Sequence, residues 1–368
     1  MSADPRPILL VGPLPPPLNG MTVMTALARL GLAREGVPVA HLDLSDHRTV
    51  GNVGRLDPRN VVLAFRHGAR MHALLARTKP RLVYLPIAQS TLGFLRDALL
   101  ILAARAHRVP VAVHLHGASF RSFHDGAAAP VRAIVRGCLR GVAAAIVLGE
   151  SARGIFDGLV PAGRVHVLAN GIPAPPRYLP APRAAERFEV LYMSNLIRGK
   201  GYRDLLAAVP AVASAHPALR VRFAGEWSSD REREEVRAEI ARLGIGNHVR
   251  FVSSATGLRK AELFRGARIF VFPPTAVEGQ PVVILEAMSH GLPVVTTPLG
   301  GIRDIVVENE TGLFVPPSRP AALAAAIRSL LEDAPLRARL GEAGQRRYQR
   351  HHGPIAFQRG LATLLEVS

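Results

Sequence analysis

The chain has 368 residues, 48% hydrophobic and 20% charged, which suits a folded protein of about two domains and excludes a disordered one. Its single cysteine, Cys138, excludes an intramolecular disulfide and a cysteine-based zinc cage, and fits a reducing compartment. The net charge of +18, of which residues 1–180 supply +12, leaves two readings open: an arginine-rich solvated surface, or attraction to nucleic acid, an anionic membrane face or a phosphorylated substrate.

In chain order, the first apolar run, "PILLVG", stops at Gly12 and Pro13. It is too short for the core of a signal peptide, and no later uninterrupted run reaches the ~18 residues of a spanning helix. Neither a signal peptide nor a membrane span is expected. "GMTVMTALARLGLAREG" has helical spacing, "VPVAHLDL" alternates like a strand, and "AFRHGARMHALLARTK" is a basic amphipathic helix. "RLVYLP", "VPVAVHLHG", "GVAAAIVLGE" and "VHVLANG" are further strand candidates. Strands separated by helical stretches imply βαβ units and a parallel sheet.

"GIPAPPRYLPAPRAAER", residues 171–187, has the composition of a semi-rigid linker. The strand–helix alternation then restarts, from "FEVLYMS" to the helix "AALAAAIRSLLED" and a basic tail. The expected organisation is an α/β protein of two Rossmann-like domains facing a central cleft. Residues 1–175 form the first, residues 176–350 the second, and a terminal helix in 351–368 packs back on the first. Ligands in such folds bind beyond the carboxyl ends of the strands.

"EGQPVVILEAMSHGLPVVT", residues 278–296, sets Glu278 and Glu286 eight positions apart around an apolar segment. Pro281 suits a first helical position, and Gly291 followed by Pro293 suits a helix stop, so a helix over about 281–290 is expected. Its first N–H groups, near Val282 and Val283, form an anion site from backbone alone. The two acids then serve either as ordinary helix-end and helix-surface carboxylates, or as acceptors for hydroxyls at the two ends of a phosphorylated ligand. "SNLIRGKGY", residues 194–202, supplies Lys200, one of only three lysines among 46 basic residues, with Lys79 and Lys260. It is either an exposed helix-start lysine or a clamp on phosphate charge. "PPPLNGMTV" places Gly20 at the start of the first helix, as a plain turn or as a close approach to a phosphate. "VAVHLHG" ends a strand with His114 and His116 on one side. "VLGESARGIF" lacks the last glycine of a nucleophile elbow, which argues against a hydrolase.

The run "FVFPPTAVEGQPVVILEAMSHGLPVVTTPLGGIRDIVVENETGLFVPP", residues 270–317, resembles the E-x7-E region of the retaining glycosyltransferases of family four, which have the GT-B fold. The likeness extends, more weakly, over nearly the whole chain. The resemblance implies that Glu286 binds a nucleotide ribose, that Glu278 contacts the transferred sugar, and that Gly279, Gln280, Pro281, Val282 and Val283 face sugar and pyrophosphate. It makes Lys200 a pyrophosphate ligand, adds Gly20 and Gly225 to the donor residues, and places His116 near the reacting sugar, with His114 the weaker candidate. Two departures stand out. Asn195 occupies the place of an arginine, with Arg198 as its substitute, and Gln280-Pro281 replaces the usual aromatic and glycine.

The function this implies is retaining transfer of a sugar from a nucleoside-diphosphate sugar to an acceptor hydroxyl. The acceptor is expected to be a saccharide or a lipid-linked cell-envelope precursor. His116, Lys200 and Glu278 are the catalytic candidates, with no cofactor. No D-x-D pair occurs, so no bridging metal is expected. A cytoplasmic location is expected, with peripheral attachment to the inner membrane face through the basic first half. Nucleic-acid binding is not expected, because aromatic residues are only 5% of the chain and do not interleave with the basic ones. The alternatives are a nucleotide-sugar 2-epimerase, a phosphorylase and an inactive donor-binding subunit.

Overall fold

The computed structural model describes residues 4–15, 20–45, 58–175 and 187–367. Residues 16–19 of the "PPPLNG" loop and 176–186 of the proline-rich joint lie outside them. The chain divides into two compact units, Met1–Ile172 with Pro354–Ser368, and Pro173–Gly353.

The first unit runs β1 (Ile8–Val11), α1 (Gly20–Arg34), β2 (Val39–Leu42), α2 (Pro58–Thr78), β3 (Leu82–Pro86), α3 (Thr91–Ala106), β4 (Val111–Leu115), α4 (Phe120–Gly126), α5 (Ala129–Leu139), β5 (Ala144–Val147) and β6 (Val165–Val167). Its six strands pair in parallel, in the order β2-β1-β3-β4-β5-β6. β1, β3, β4 and β5 are buried at every position. That is why their sequences read as continuous apolar runs: helices cover both faces of the sheet.

The second unit runs β7 (Val190–Met193), α6 (Tyr202–Ala213), β8 (Val221–Ala224), α7 (Asp230–Leu243), β9 (Val249–Val252), α8 (Gly257–Gly266), β10 (Ile269–Phe272), α9 (Val282–Ser289), β11 (Val294–Thr296), α10 (Ile302–Ile305), β12 (Gly312–Phe314), α11 (Pro320–Glu332) and α12 (Ala334–His351). Its order, β12-β11-β10-β7-β8-β9, is again parallel throughout. The chain builds outward from β7 through β8 to β9, then crosses back to place β10 on the other side of β7. The carboxyl ends of β7 and β10 therefore flank a topological switch point, where open α/β sheets bind ligands.

The last helix, α13 (Pro354–Val367), belongs to the first unit. It packs on α1, where the Gln358 side chain sits against Gly31 so closely that a Cβ on Gly31 would overlap it. Phe357 and Leu361 on the same helix are buried.

Candidate functional site

In the second unit the loops leaving β7 and β10 are tied together. Thr275 and Ala276 donate their backbone N–H groups to Gly199 O at 3.0 and 3.2 Å. Buried Thr297 donates its hydroxyl to Pro274 O at 2.7 Å, and buried Thr296 to Phe272 O at 2.6 Å. Gly301 N donates to Glu278 O at 3.0 Å, and a Cβ on Gly300 or Gly301 would run into the Glu278 or Gly279 carbonyl. The 278–280 segment is thus pinned from behind by two glycines, and Gln280 is buried.

On this frame the Lys200 ammonium lies 2.5 Å from Glu278 Oε1, with the carboxylate side chain only 15% exposed. Gly201 allows it: its φ of 76° is left-handed, and a Cβ there would overlap the Pro273 carbonyl oxygen. Gly225, at the end of β8, is similarly required, because a Cβ would strike Ser194 O.

Helix α9 begins one residue later than the proline pattern predicts. Pro281 has ψ 115° and stands just ahead of the helix, because the preceding loop is still extended there; Val282 is first. The helix stops at Ser289, with Gly291 left-handed at φ 71° as expected. The N–H groups of its first turn precede any intrahelical acceptor. Glu286 lies on the second turn, 21% exposed, with Oε1 2.6 Å from Lys260 Nζ and Oε2 enclosed without a hydrogen-bond partner. Burial raises the pKa of this carboxyl, and the neighbouring Lys260 charge opposes that rise.

Arg198 is not with this group. Its guanidinium pairs with Glu232 at 3.2 Å and Glu235 at 2.5 Å on α7. That acidic helix also takes Arg203, through Glu232, Glu235 and Glu239, and the Tyr202 hydroxyl, through Glu232. The expected substitute cation is therefore engaged by local acids. Asn195 is exposed and its carbonyl accepts from Ile197 N at 2.9 Å.

In the first unit, Gly20 opens α1 and is exposed. His114 and His116 do share one side of β4, with ring centroids 4.0 Å apart. Tyr84 Oη lies 2.6 Å from His114 Nδ1. Burial pushes the Tyr84 hydroxyl pKa far up and that of His114 far down, so the phenol donates to a neutral imidazole. Burial lowers His116 to about 4, and its hydrogen-bonding interaction with Asn170 works the other way. His116 is neutral at physiological pH.

Sequence reasoning missed Lys260, Asn170, Tyr84 and the Gly300–Gly301 support. Lys260 had a signal, lysine scarcity. The others look like ordinary strand-end and turn residues until the fold places them.

The profile described as "Glycosyl transferases group 1" matches residues 180–347, and that described as "Glycosyl transferase 4-like domain" matches residues 12–171. The chain belongs to the group 1 glycosyltransferases. Among relatives of this glycosyltransferase, the glycogen synthase of Mycobacterium tuberculosis is 32% identical over 190 residues, 50% of this chain and 44% of that protein. The phosphatidyl-myo-inositol mannosyltransferase of the same organism is 33% identical over 156 residues, 40% of each chain. These matches span less than half the length of the relatives. The crystal structure of Anabaena Alr3699/HepE in complex with UDP superposes with a TM-score of 0.73 at 19% identity, covering 98% of this chain and 99% of that one. The glycosyltransferase thus has the GT-B fold.

Five buried or half-buried histidines should make this protein acid-sensitive: burial lowers the pKa of His41, His67, His114, His116 and His290. In each case the unfolded chain binds a proton, near pH 6.5, that the fold refuses. Stability is therefore full above that pH and falls as pH drops toward about 4, where His116 itself protonates. All but His290 lie in the first unit, so that unit should loosen first. Thermal unfolding between pH 7.5 and 5, with limited proteolysis to locate the opening, checks this; a melting temperature constant over that range would contradict it.

Proposed function

We propose that the second unit binds a nucleoside-diphosphate sugar and that the chain transfers its sugar, with retention, to an acceptor hydroxyl. The observation that carries this reading is the Lys200–Glu278 pair at the β7/β10 switch point, beside the N-terminus of α9. Glu286 lies four residues into the same helix and takes the ribose; Glu278 takes the sugar. Between them the diphosphate meets the first N–H groups of α9 and the Lys200 ammonium, which moves from Glu278 to the phosphate as it arrives. This cation and helix terminus stabilise the leaving diphosphate without a bridging metal. The acceptor attacks from the face the diphosphate leaves, and the departing phosphate oxygen takes its proton, so no protein nucleophile is needed. His116, neutral at physiological pH, is the first unit's candidate for contacting the acceptor. That HepE was crystallised with UDP and with UDP-glucose supports a nucleotide donor.

The test separates the two acids. Glu286→Ala should weaken nucleoside-diphosphate affinity about tenfold or more, while Glu278→Ala should mainly lower kcat. Thermal stabilisation by a nucleotide-sugar panel selects the donor, calorimetry gives affinities, and a transfer assay gives kcat. Equal loss of binding in both variants would overturn the two-ended arrangement.

We infer further that the acceptor is lipid-linked and that the first unit docks on an anionic bilayer. On α2, Val62 and Phe65 are 59% and 68% exposed, with Ala69 in line, and Arg66, Arg70 and Arg77 run alongside. From Pro58 to Gly149 the only acids are Asp97, which is buried and paired with Arg96, and Asp125. No helix among the described residues is long and apolar enough to cross a membrane. A relative that is by name a phosphatidyl-myo-inositol mannosyltransferase is in keeping with a lipid acceptor. The chain should co-sediment with phosphatidylglycerol-containing vesicles, less so in high salt, and Phe65→Asp should reduce binding several-fold. Binding that ignores both salt and Phe65 would exclude this face.

The second reading, a donor-binding subunit without turnover, draws on Asn195 and on the capture of Arg198 by Glu232 and Glu235. It predicts donor binding with neither transfer nor donor hydrolysis.

A further inference from the structure

We propose that Lys260 is a positioning residue of the nucleotide site, anchoring one oxygen of Glu286 so that the other is left to take a nucleotide hydroxyl. The proposal rests on the donor-site reading above and adds a residue to it.

Three observations carry it. Lys260 Nζ meets Glu286 Oε1 at 2.6 Å, from a different helix and 26 positions away in sequence. Glu286 Oε2 is enclosed and has no hydrogen-bond partner, although a buried carboxylate oxygen without one is costly. And the two helices are locked together. Phe264 on α8 stacks on His290 at the end of α9, centroids 4.9 Å apart and planes 21° from parallel, while His290 Nδ1 lies 2.8 Å from Glu286 O. Lys260 therefore approaches Glu286 from a fixed platform, and one turn of rotamer choice is removed from the carboxylate. An oxygen left bare in such a frame is an acceptor waiting for donors, and a ribose diol presents them.

Lys260 on α8 is the charged group that faces Glu286, and His290 on α9, bonded to the Glu286 carbonyl, feels both Lys260 and Arg265 of α8. Lys260 opposes the upward push of burial on the Glu286 carboxyl, so removing it should leave that group protonated to higher pH. A protonated carboxyl loses acceptor strength, and nucleotide affinity should then fail at a higher pH than in the wild type.

The experiment is calorimetric titration with UDP, GDP and ADP of the wild type, Lys260→Met, Lys260→Arg, Glu286→Gln and the double variant Lys260→Met/Glu286→Gln. Thermal unfolding checks that each is folded. Lys260→Met is expected to weaken binding about tenfold or more, to move the acidic limb of the affinity profile upward, and to be partly rescued by Lys260→Arg. In the Glu286→Gln background, removing Lys260 should cost nothing further. Wild-type affinity in Lys260→Met overturns the proposal. So does an equal loss with and without Glu286, which would mean that Lys260 touches the nucleotide directly. Failure of the wild type to bind any of the three overturns the donor-site reading, and this proposal with it.

Discussion

Lys200→Ala should lower kcat about 10²–10³-fold, the usual scale for removing one preorganised charge from a developing anion. The fold should survive. The Lys200 side chain is 31% exposed and that of its partner Glu278 stays in contact with water at 15%, so the carboxylate left behind is not stranded in a dry core. The effect is large because neither polar neighbour on the same segment can stand in. Asn195 carries no charge, and Arg198 is held by Glu232 and Glu235. Lys200→Arg should recover only part of the loss, since a planar fork cannot occupy the point-charge position the ammonium takes beside Glu278. Steady-state kinetics with the donor found by the nucleotide-sugar panel measures this, alongside nucleoside-diphosphate affinity. A kcat within threefold of wild type (about 0.7 kcal/mol) would remove Lys200 from the mechanism.

Two of the chain's three lysines neutralise the two acids of the E-x7-E segment, Lys200 on Glu278 and Lys260 on Glu286. Two bare carboxylates at the ends of a diphosphate site would repel the ligand they are meant to hold. With each paired, the proposed donor site would offer hydroxyl acceptors at little cost in field, and the helix terminus between them would keep its positive end. The pairs differ in reach. Lys200 sits on the segment leaving β7, from which the proposed function has it move to the phosphate; Lys260 sits on α8, which is stacked on the end of α9. On that proposed reading, one lysine is a ligand-responsive charge and the other is scaffold.

That difference explains what was legible in the sequence. Buried parallel strands announce themselves as apolar runs, and a proline–glycine frame announces α9, so the two α/β halves and the place of Glu278 and Glu286 could be read directly. The partners could not. Lys260 is 26 residues from Glu286, and the Gly300–Gly301 step that supports Glu278 lies beyond the next strand. Nothing local links them; the parallel crossover brings them together. Arg198 shows the converse failure. By sequence it stands two residues from Lys200 and looks like a phosphate cation. The unread factor was α7, whose Glu232 and Glu235 face it once β8 has placed that helix alongside. Pairing across elements, rather than propensity within them, decided which charges were left for a ligand.

Gly201→Ala should destabilise the second unit by about 2 kcal/mol or more and remove Lys200 from the site at once. Two independent costs coincide. At φ 76° a Cβ meets the left-handed penalty, ~1–2 kcal/mol. That Cβ would also overlap the Pro273 carbonyl, which is backbone at the end of β10 and cannot rotate away. Gly244 is the internal control. It caps α7 at φ 66° but has open space around its Cβ position, so Gly244→Ala carries the first cost alone. The difference between the two variants in urea denaturation therefore isolates the close approach of the β7 loop to β10. If it is real, Gly201→Ala loses more stability than Gly244→Ala, and only Gly201→Ala loses turnover beyond its loss of folded protein. Equal stabilities would mean that the β7 loop yields easily, and that Lys200 is not held against Glu278 by the backbone at all.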